Sequence, residues 1–337
     1  MPRLARIEYP GACYHVRSQG RNGRRLLAEA GDRRAFLDSL GAAASRTGWR
    51  VLAFCLSPAD FQLVLQTPEA NLADGMKWLL GRFTGGYHRR HATKGALFRA
   101  RYRALLIQPP PGPWLGRVID YVHLTPARRG LITATTPLAD HPVSSLPAFL
   151  STTAEHPRWL NRQQAGRALR EADFQPGEQN PTVAYAIHLD TLRREAPLPF
   201  WRRIERGWCL GDDAFKNSMT GWSRGRRAGS LKRGKTEDPT ATAERIIREE
   251  LAALGWDEQT LARSPKMAPA KAHIAGRLRR ETLQTLAWIA RRLHMGSVNT
   301  ARNLLLIQRQ AEAETGATAV AAAMPEPWLE EFDVRWD

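Results

Sequence analysis

Four polar residues in two short stretches are the first candidates for chemistry. Asp60 and Gln62 lie two positions apart in Asp60-Phe-Gln62-Leu-Val-Leu65, where apolar residues alternate with them. This is the period of a half-buried strand, so both side chains should leave the same face of a sheet. Tyr121 and Thr125 are four residues apart in a short amphipathic run, so they should share one helical face. The spacing predicts that a phenol, an acid and an amide converge.

Three of these side chains offer oxygen atoms to a metal ion. A carboxylate (Asp60), an amide carbonyl (Gln62) and a hydroxyl (Thr125) are groups that Mg²⁺ or Mn²⁺ accepts. An amide and a hydroxyl are weak ligands, however, so the sequence predicts no cofactor unless the chain is catalytically active. Tyr121 also has a structural interpretation, in which its ring packs on the sheet and its hydroxyl lies at the rim.

A sheet with helices must position these residues. Strand patterns cover residues 13–18, 49–56, 60–65 and 101–108, and helical patterns cover residues 32–47 and 72–87. The order of strand, helix, two strands, helix, strand predicts an α+β fold with a ferredoxin-like antiparallel sheet. The helix that carries Tyr121 should lie on the face that the other two helices leave open. An all-α region with a helix-turn-helix should follow.

Composition suggests five segments in the 337-residue chain. We predict a sheet domain at 1–150, a helical extension at 151–222, a basic flexible linker at 223–239, a helix-turn-helix domain at 240–310 and an acidic, aromatic tail at 311–337. The three cysteines show no metal-type pairing, so we interpret them as buried thiols.

The charge of the chain indicates the class of partner. A net charge of +17 and a pI near 10.7 favour a polyanion, and nucleic acid is favoured over membrane. No apolar run approaches the roughly 20 residues that span a bilayer, and the first residues lack the apolar core of a secretory signal. We therefore expect a cytoplasmic protein with no membrane partner.

The two stretches resemble one known family. Ser57-Pro-Ala-Asp60-Phe-Gln62-Leu63, Thr67-Pro-Glu69 and Tyr121-Val-His123-Leu-Thr125-Pro-Ala-Arg128 are similar to motifs of the REP-associated tyrosine transposases, single-tyrosine members of the His-hydrophobic-His superfamily. The resemblance covers about residues 3 to 150. It implies that Tyr121 matches the nucleophile, and that Asp60, Gln62 and Thr125 stand where the family has two histidines and an asparagine as metal ligands.

The resemblance implies alternatives for function. In the family, the tyrosine attacks a single-strand phosphodiester with the help of a divalent metal and forms a 5′-phosphotyrosine. The substitution of all three ligands favours a DNA-binding protein that recognises single-stranded or hairpin repeat DNA, with reduced or lost cleavage. The retained Tyr121 keeps an active transposase with Mg²⁺ or Mn²⁺ open. Binding of structured RNA, binding of duplex DNA and a homodimer are also left open.

Three groups of residues are candidates for DNA contact. Near the last strand these are Arg89, Arg90, Arg99, Arg101 and Arg103; in the glycine-rich segment 224–235 they are Arg226, Arg227, Lys232 and Arg233; on the second helix of the helix-turn-helix they are Asn299, Thr300, Arg302 and Asn303. The structural alternatives are a solvated basic surface, an inert linker and a plain helical hairpin.

Overall fold

The computed structural model describes residues 7–99, 101–141, 143–151, 156–195, 198–227, 239–282 and 284–314. Side chains at 222–227, 239, 280 and 308–314 are outside this description. The described residues form two compact units: unit 1 comprises 7–44 and 48–227, and unit 2 comprises 45–47 and 239–314, apart from the gaps just given. None of the described helices combines the length and the apolar character that crossing a bilayer requires.

Unit 1 is built on a five-stranded mixed sheet. Its strands are β1 Ala12–Gln19, β2 Arg50–Ser57, β3 Asp60–Thr67, β4 Arg103–Ile107 and β5 Cys209–Leu210. They lie in the order β2-β3-β1-β4-β5, antiparallel except for β4 with β5. With α1 (Ala30–Thr47) and α2 (Leu72–His91), the first four strands follow the predicted order along the chain. The prediction of an α+β fold is confirmed.

Alternation along β3 divides its side chains between the two faces of the sheet. The Phe61 ring lies 4.6 Å from that of Phe36 in α1, which lies 5.4 Å from that of Phe83 in α2. Helices α1 and α2 therefore cover this face. Gln62 leaves the opposite face, where its side chain meets the segment of α3 (Trp114–His123) and α4 (Thr125–Arg128). The Tyr121 helix thus lies opposite α1 and α2.

The helices after residue 140 extend the same core. They are α5 Leu146–Leu150, α6 Arg162–Glu171, α7 Pro181–Arg194, α8 Trp201–Arg206 and α9 Asp213–Arg227. Leu169, Tyr185 and Trp201 are buried in one cluster with the sheet residues. A Cβ at Gly116 of α3 would lie 2.4 Å from the main-chain oxygen of Ala168, so α3 and α6 approach closely. The boundary predicted near residue 150 therefore does not separate two compact units.

The predicted basic linker at 223–239 begins inside a helix. Helix α9 continues to Arg227, because extending an existing helix across a glycine costs only about 1 kcal/mol. Lys232 and Arg233 lie outside the described residues, as do the side chains of Arg226 and Arg227. The tail from residue 315 onward is likewise outside them.

Unit 2 consists of helices around a second core. They are α10 Pro239–Leu254, α11 Glu258–Arg263, α12 Pro269–Glu281, α13 Leu286–Arg292 and α14 Val298–Glu314. The turn between α13 and α14 places His294 and Gly296 at positive φ. Ser297 Oγ then accepts a hydrogen bond from the Thr300 amide at 3.1 Å, so it caps α14. Val298, the first residue of α14, is 37% exposed.

Candidate functional site

A buried hydrogen-bond chain lies beneath α3. Gln62 Oε1 is 2.9 Å from His15 Nε2, and Gln62 Nε2 donates to Thr125 Oγ1 at 3.1 Å. Thr125 Oγ1 in turn donates to the main-chain oxygen of Tyr121 at 3.2 Å. Burial lowers the pKa of His15 to about 3, so its neutral ring can donate to Gln62. The structure therefore brings Gln62 and Thr125 together. Each group in this series of hydrogen bonds donates to the next, from His15 to the main-chain oxygen of Tyr121.

Asp60, the third candidate ligand, forms an ion pair. Its Oδ2 contacts Nη1 of Arg129, and the same nitrogen lies 3.4 Å from Ser57 Oγ. Asp60 is 13% exposed and Arg129 is 33% exposed. The only carboxylate among the three predicted ligands thus already holds a cation.

These three residues do not fit a divalent metal ion. Gln62 Oε1 and Thr125 Oγ1 are occupied within the buried chain, and Asp60 holds a guanidinium. A Mg²⁺ ion would displace these contacts and gain only one charged ligand. Elsewhere in the described part of the chain, ligand atoms of Glu29, Asp32 and His91 lie within 4.8 Å of one another. Arg90 already pairs with Asp32 there, at 2.6 Å.

Tyr121 is buried under aromatic and charged groups. Its hydroxyl donates to Glu205 Oε1 at 3.3 Å, and its ring meets those of His15 and Trp201 edge to face. The Arg128 guanidinium carbon lies 3.6 Å from the centre of the Tyr121 ring. Burial raises the pKa of Tyr121 most, Arg128 lowers it, and Glu205 raises it again. The net direction is upward, which keeps the phenol protonated near neutral pH.

A second buried network fixes the Tyr121 helix from behind. His123 Nδ1 lies 2.8 Å from the Tyr185 hydroxyl, which donates to Asp120 Oδ1 at 2.9 Å. His123 Nε2 lies 2.8 Å from Ser145 Oγ, and burial lowers the pKa of His123 to about 3. His123 is therefore a structural residue that ties α3 to α5 and α7, as the sequence suggested.

Four arginines, which we call the Tyr121 arginine cluster, surround this tyrosine. They are Arg17, Arg103, Arg128 and Arg129. Arg17 lies opposite Gln62 on one side and Arg103 on the other, so strand pairing puts both arginines on the Tyr121 face. Arg17 Nη2 donates to the main-chain oxygen of Glu205 at 2.6 Å. Burial lowers the pKa of Arg17, and Arg103 lowers it further. Closely spaced guanidinium groups of this kind can bind phosphate oxygens.

The arginines near β4 that we predicted to contact DNA differ in their surroundings. Arg89, Arg99 and Arg101 are exposed, whereas Arg90 pairs with buried Asp32 through two nitrogen atoms, at 3.0 and 2.6 Å. Arg103 joins the Tyr121 face. Among the described residues, Arg90 is therefore engaged in an ion pair within the protein, unlike the other arginines near β4 that we predicted to bind phosphate.

In unit 2 the predicted base-reading residues lie on the first turns of α14. Asn299, Arg302 and Asn303 are exposed, while Thr300 is half-buried and bonded to Ser297. Arg302 Nη1 donates to Asn299 Oδ1 at 3.0 Å. No side chain of another described helix is bonded to this polar face.

Two arginines of unit 2 bind carboxylates. Arg292 contacts Glu244 at 2.7 Å and Glu258 at 2.6 Å. Arg277 contacts three glutamates, at 2.9, 2.8 and 3.1 Å. These arginines therefore join helices of unit 2 to one another.

Sequence reasoning missed the roles of His15, Arg17, Arg128, Arg129 and Glu205. A signal existed for His15 and Arg17, which alternate along β1 and so share the face of Gln62. Arg128 and Arg129 follow the Tyr121 stretch directly. Glu205 is 84 residues from Tyr121, and no local pattern joins them.

Comparisons with known proteins give one structural similarity to report. No protein-family model matches the chain, and no curated protein matches it. A solved structure described as "Structure of the REP associates tyrosine transposase bound to a REP hairpin" is similar over 45% of this chain and 87% of that chain, with 14% identity and a TM-score of 0.38. A TM-score of this size is too low to establish a shared fold.

Proposed function

We propose that this chain is a DNA-binding protein of the REP-associated tyrosine transposase type, which recognises single-stranded or hairpin repeat DNA without cleaving it. One observation carries the proposal. Gln62 and Thr125 are occupied by protein contacts and Asp60 is paired with Arg129 through Oδ2, whereas arginines remain on the same face. Such a face can still hold phosphate, but it lacks the ligands for metal-assisted attack.

The state of Tyr121 supports the loss of cleavage. Attack on phosphorus needs the phenolate, and burial raises the pKa of this phenol above its usual value of 10.0. Arg128 stabilises negative charge on the ring but does not reverse the direction of the pKa shift.

The alternative is an active transposase that forms a 5′-phosphotyrosine at Tyr121. The contact between the hydroxyl and Glu205 favours this candidate, because a carboxylate 3.3 Å from a phenol can accept its proton. It would require Mg²⁺ or Mn²⁺ held by ligands other than the present contacts of Asp60, Gln62 and Thr125.

Unit 2 supplies a second proposed DNA contact. The exposed Asn299, Arg302 and Asn303 lie at the start of α14, after a short turn from α13. A helix-turn-helix presents base-reading side chains to duplex DNA from the start of its second helix, which supports this proposal. We propose that unit 2 binds the double-stranded part of a repeat.

A covalent adduct assay separates the two functions. The full-length protein and Tyr121→Phe are incubated with single-stranded hairpin DNA and Mg²⁺ or Mn²⁺, then denatured and resolved by size. We expect equal DNA binding by both proteins before denaturation and no covalent species from either one. An adduct that forms with the natural protein and disappears in Tyr121→Phe would establish cleavage instead.

A further inference from the structure

The Tyr121 arginine cluster carries more positive charge than the described residues around it neutralise. Two carboxylates face its four guanidinium groups, Asp60 beside Arg129 and Glu205 beside Arg128. Arg103 forms no ion pair with a described residue, and the hydrogen bond of Arg17 goes to an uncharged main-chain oxygen. Placing like charges side by side is unfavourable, so an added anion would relieve repulsion.

The guanidinium of Arg128 is not fully hydrogen-bonded within the described residues. Its Nε is buried without a hydrogen-bond partner among the described residues. Its Nη1 lies 3.8 Å from Glu205 Oε1, beyond hydrogen-bond distance. Because the guanidinium is held against the Tyr121 ring, it is already ordered, and little side-chain entropy remains to be lost on binding.

Arg129 pairs with Asp60, one of the three residues at which the family resemblance implies a metal ligand. One of its nitrogens, Nη1, serves both Asp60 and Ser57, while Nε and Nη2 bond to no described residue. A guanidinium fixed by a carboxylate on one edge can present its other donors to a phosphate. It supplies positive charge and directed hydrogen bonds without an open coordination position.

We propose that Arg128 and Arg129 together bind one phosphodiester group of single-stranded DNA beside Tyr121, and that Arg129 replaces the divalent ion in this role. Binding at this site therefore needs no metal. Arg17 and Arg103 extend the positive surface towards neighbouring phosphates. The inference rests on the proposed function and adds a defined phosphate subsite and its independence from metal.

The test uses the full-length protein and three single substitutions, Arg128→Gln, Arg129→Gln and Arg34→Gln. Arg34 is exposed on α1, which covers the opposite face of the sheet, so its substitution removes the same charge elsewhere. Binding to a single-stranded oligonucleotide is measured by anisotropy at several salt concentrations, in EDTA and in Mg²⁺.

We expect the natural protein to bind as tightly in EDTA as in Mg²⁺. Arg128→Gln and Arg129→Gln should each weaken binding about tenfold and reduce the salt slope by about one. Arg34→Gln should stay within about twofold, because exposed charges at a distance are screened. The double substitution Asp60→Asn with Arg129→Gln leaves no unpaired carboxylate. It should bind as weakly as Arg129→Gln, which separates lost phosphate contact from misfolding.

The outcomes separate the two proposals. Loss of binding in EDTA, or binding by Arg128→Gln and Arg129→Gln equal to that of Arg34→Gln, would overturn the phosphate subsite and leave DNA binding intact. A natural protein that binds no DNA would overturn the proposed function itself. Arginine-dependent binding of RNA hairpins alone would overturn DNA as the ligand.

Discussion

Two groups of arginines, one around Tyr121 in unit 1 and one in unit 2, are used in opposite ways. In unit 2, Arg277 and Arg292 bind glutamates on neighbouring helices, and their pKa values are raised, chiefly by the hydrogen bonds that they donate to Glu250 and Glu244 respectively. In unit 1, burial lowers the pKa of Arg17 and Arg128, and carboxylates are fewer than arginines around Tyr121.

The difference shows why a count of positive residues does not locate a phosphate site. An arginine that meets a carboxylate within its own fold contributes to stability and presents little charge to a partner. An arginine held beside other arginines contributes little stability and leaves its donors for an anion. Stability and affinity should therefore respond to substitutions in different units.

The largest expected difference between the units is in how much stability each loses at low pH. Burial lowers the pKa of His15 and His123 to about 3 and that of His141 to about 4. Histidine in an unfolded chain titrates near about 6.5. Between these values the unfolded chain binds protons that folded unit 1 does not, so the stability of unit 1 falls as the pH falls. From pH 7 to 5 we expect a loss of about 1 to 2 kcal/mol for each histidine.

Calorimetry of the full-length protein at pH 7 and pH 5 measures this loss. The described histidines of unit 2, His273 and His294, are exposed, so its unfolding transition should shift less. The substitution Leu278→Ala creates a cavity in the core of unit 2, so the transition that it shifts belongs to that unit. Equal shifts of both transitions would contradict burial of the three neutral histidines.

Removal of an ion-paired arginine should reduce stability next most strongly. Arg292→Gln leaves Glu244 and Glu258 without their shared partner and should destabilise unit 2 by about 1 to 2 kcal/mol. Arg103→Gln should change the stability of unit 1 by less than about 0.5 kcal/mol, since the side chain is exposed. Urea unfolding measures both, and the reverse order would mean that the arginines of the two units do not differ in this way.

For DNA affinity we expect the opposite order, with the larger effect from the arginine of unit 1. Arg103→Gln should weaken binding of single-stranded DNA about tenfold at low salt and lower the salt slope by about one. Arg277→Gln removes the same charge from unit 2, yet its carboxylate contacts should keep the effect within about twofold. Filter binding across a salt series provides the comparison, and a matching loss in Arg277→Gln would place phosphate at that residue.

The smallest effect is expected at the start of α14. Arg302→Ala or Asn299→Ala should change the preference between duplex sequences by about fivefold, because each removes one exposed base-edge contact. The salt slope should change less than it does in Arg103→Gln. Selection of preferred sequences from a random duplex pool measures this shift, and uniform weakening on every sequence would indicate phosphate contact alone.

Much of the structure around Tyr121 was predictable from sequence, because it follows from the residue periodicity of single strands and helices. Alternation in β3 predicted that Gln62 and Asp60 share a face, and the four-residue spacing of Tyr121 and Thr125 placed Thr125 against Gln62. The order of strands and helices in the first 110 residues also followed from hydrophobic patterns.

The rest depended on contacts between distant segments. Nothing near Asp60 indicates that Arg129 will neutralise it, and nothing near Tyr121 indicates Glu205, because both pairs form only when α4 and α8 pack on the sheet. The boundary that we predicted near residue 150 also depends on contacts between distant segments. Its proline- and serine-rich composition resembles a linker, yet the apolar residues beyond it are buried on the shared core.

The buried chain from His15 through Gln62 and Thr125 to the Tyr121 carbonyl also limits how this chain can change. A single substitution of Gln62 by histidine would leave a buried neighbour without its partner, at a cost of about 1 to 3 kcal/mol. A change at Thr125 alone, or the removal of Asp60 from Arg129, would incur a similar penalty before any metal could bind. Selection for stability should therefore disfavour each single mutation that leads towards a metal site here, and several simultaneous changes would be needed to build one.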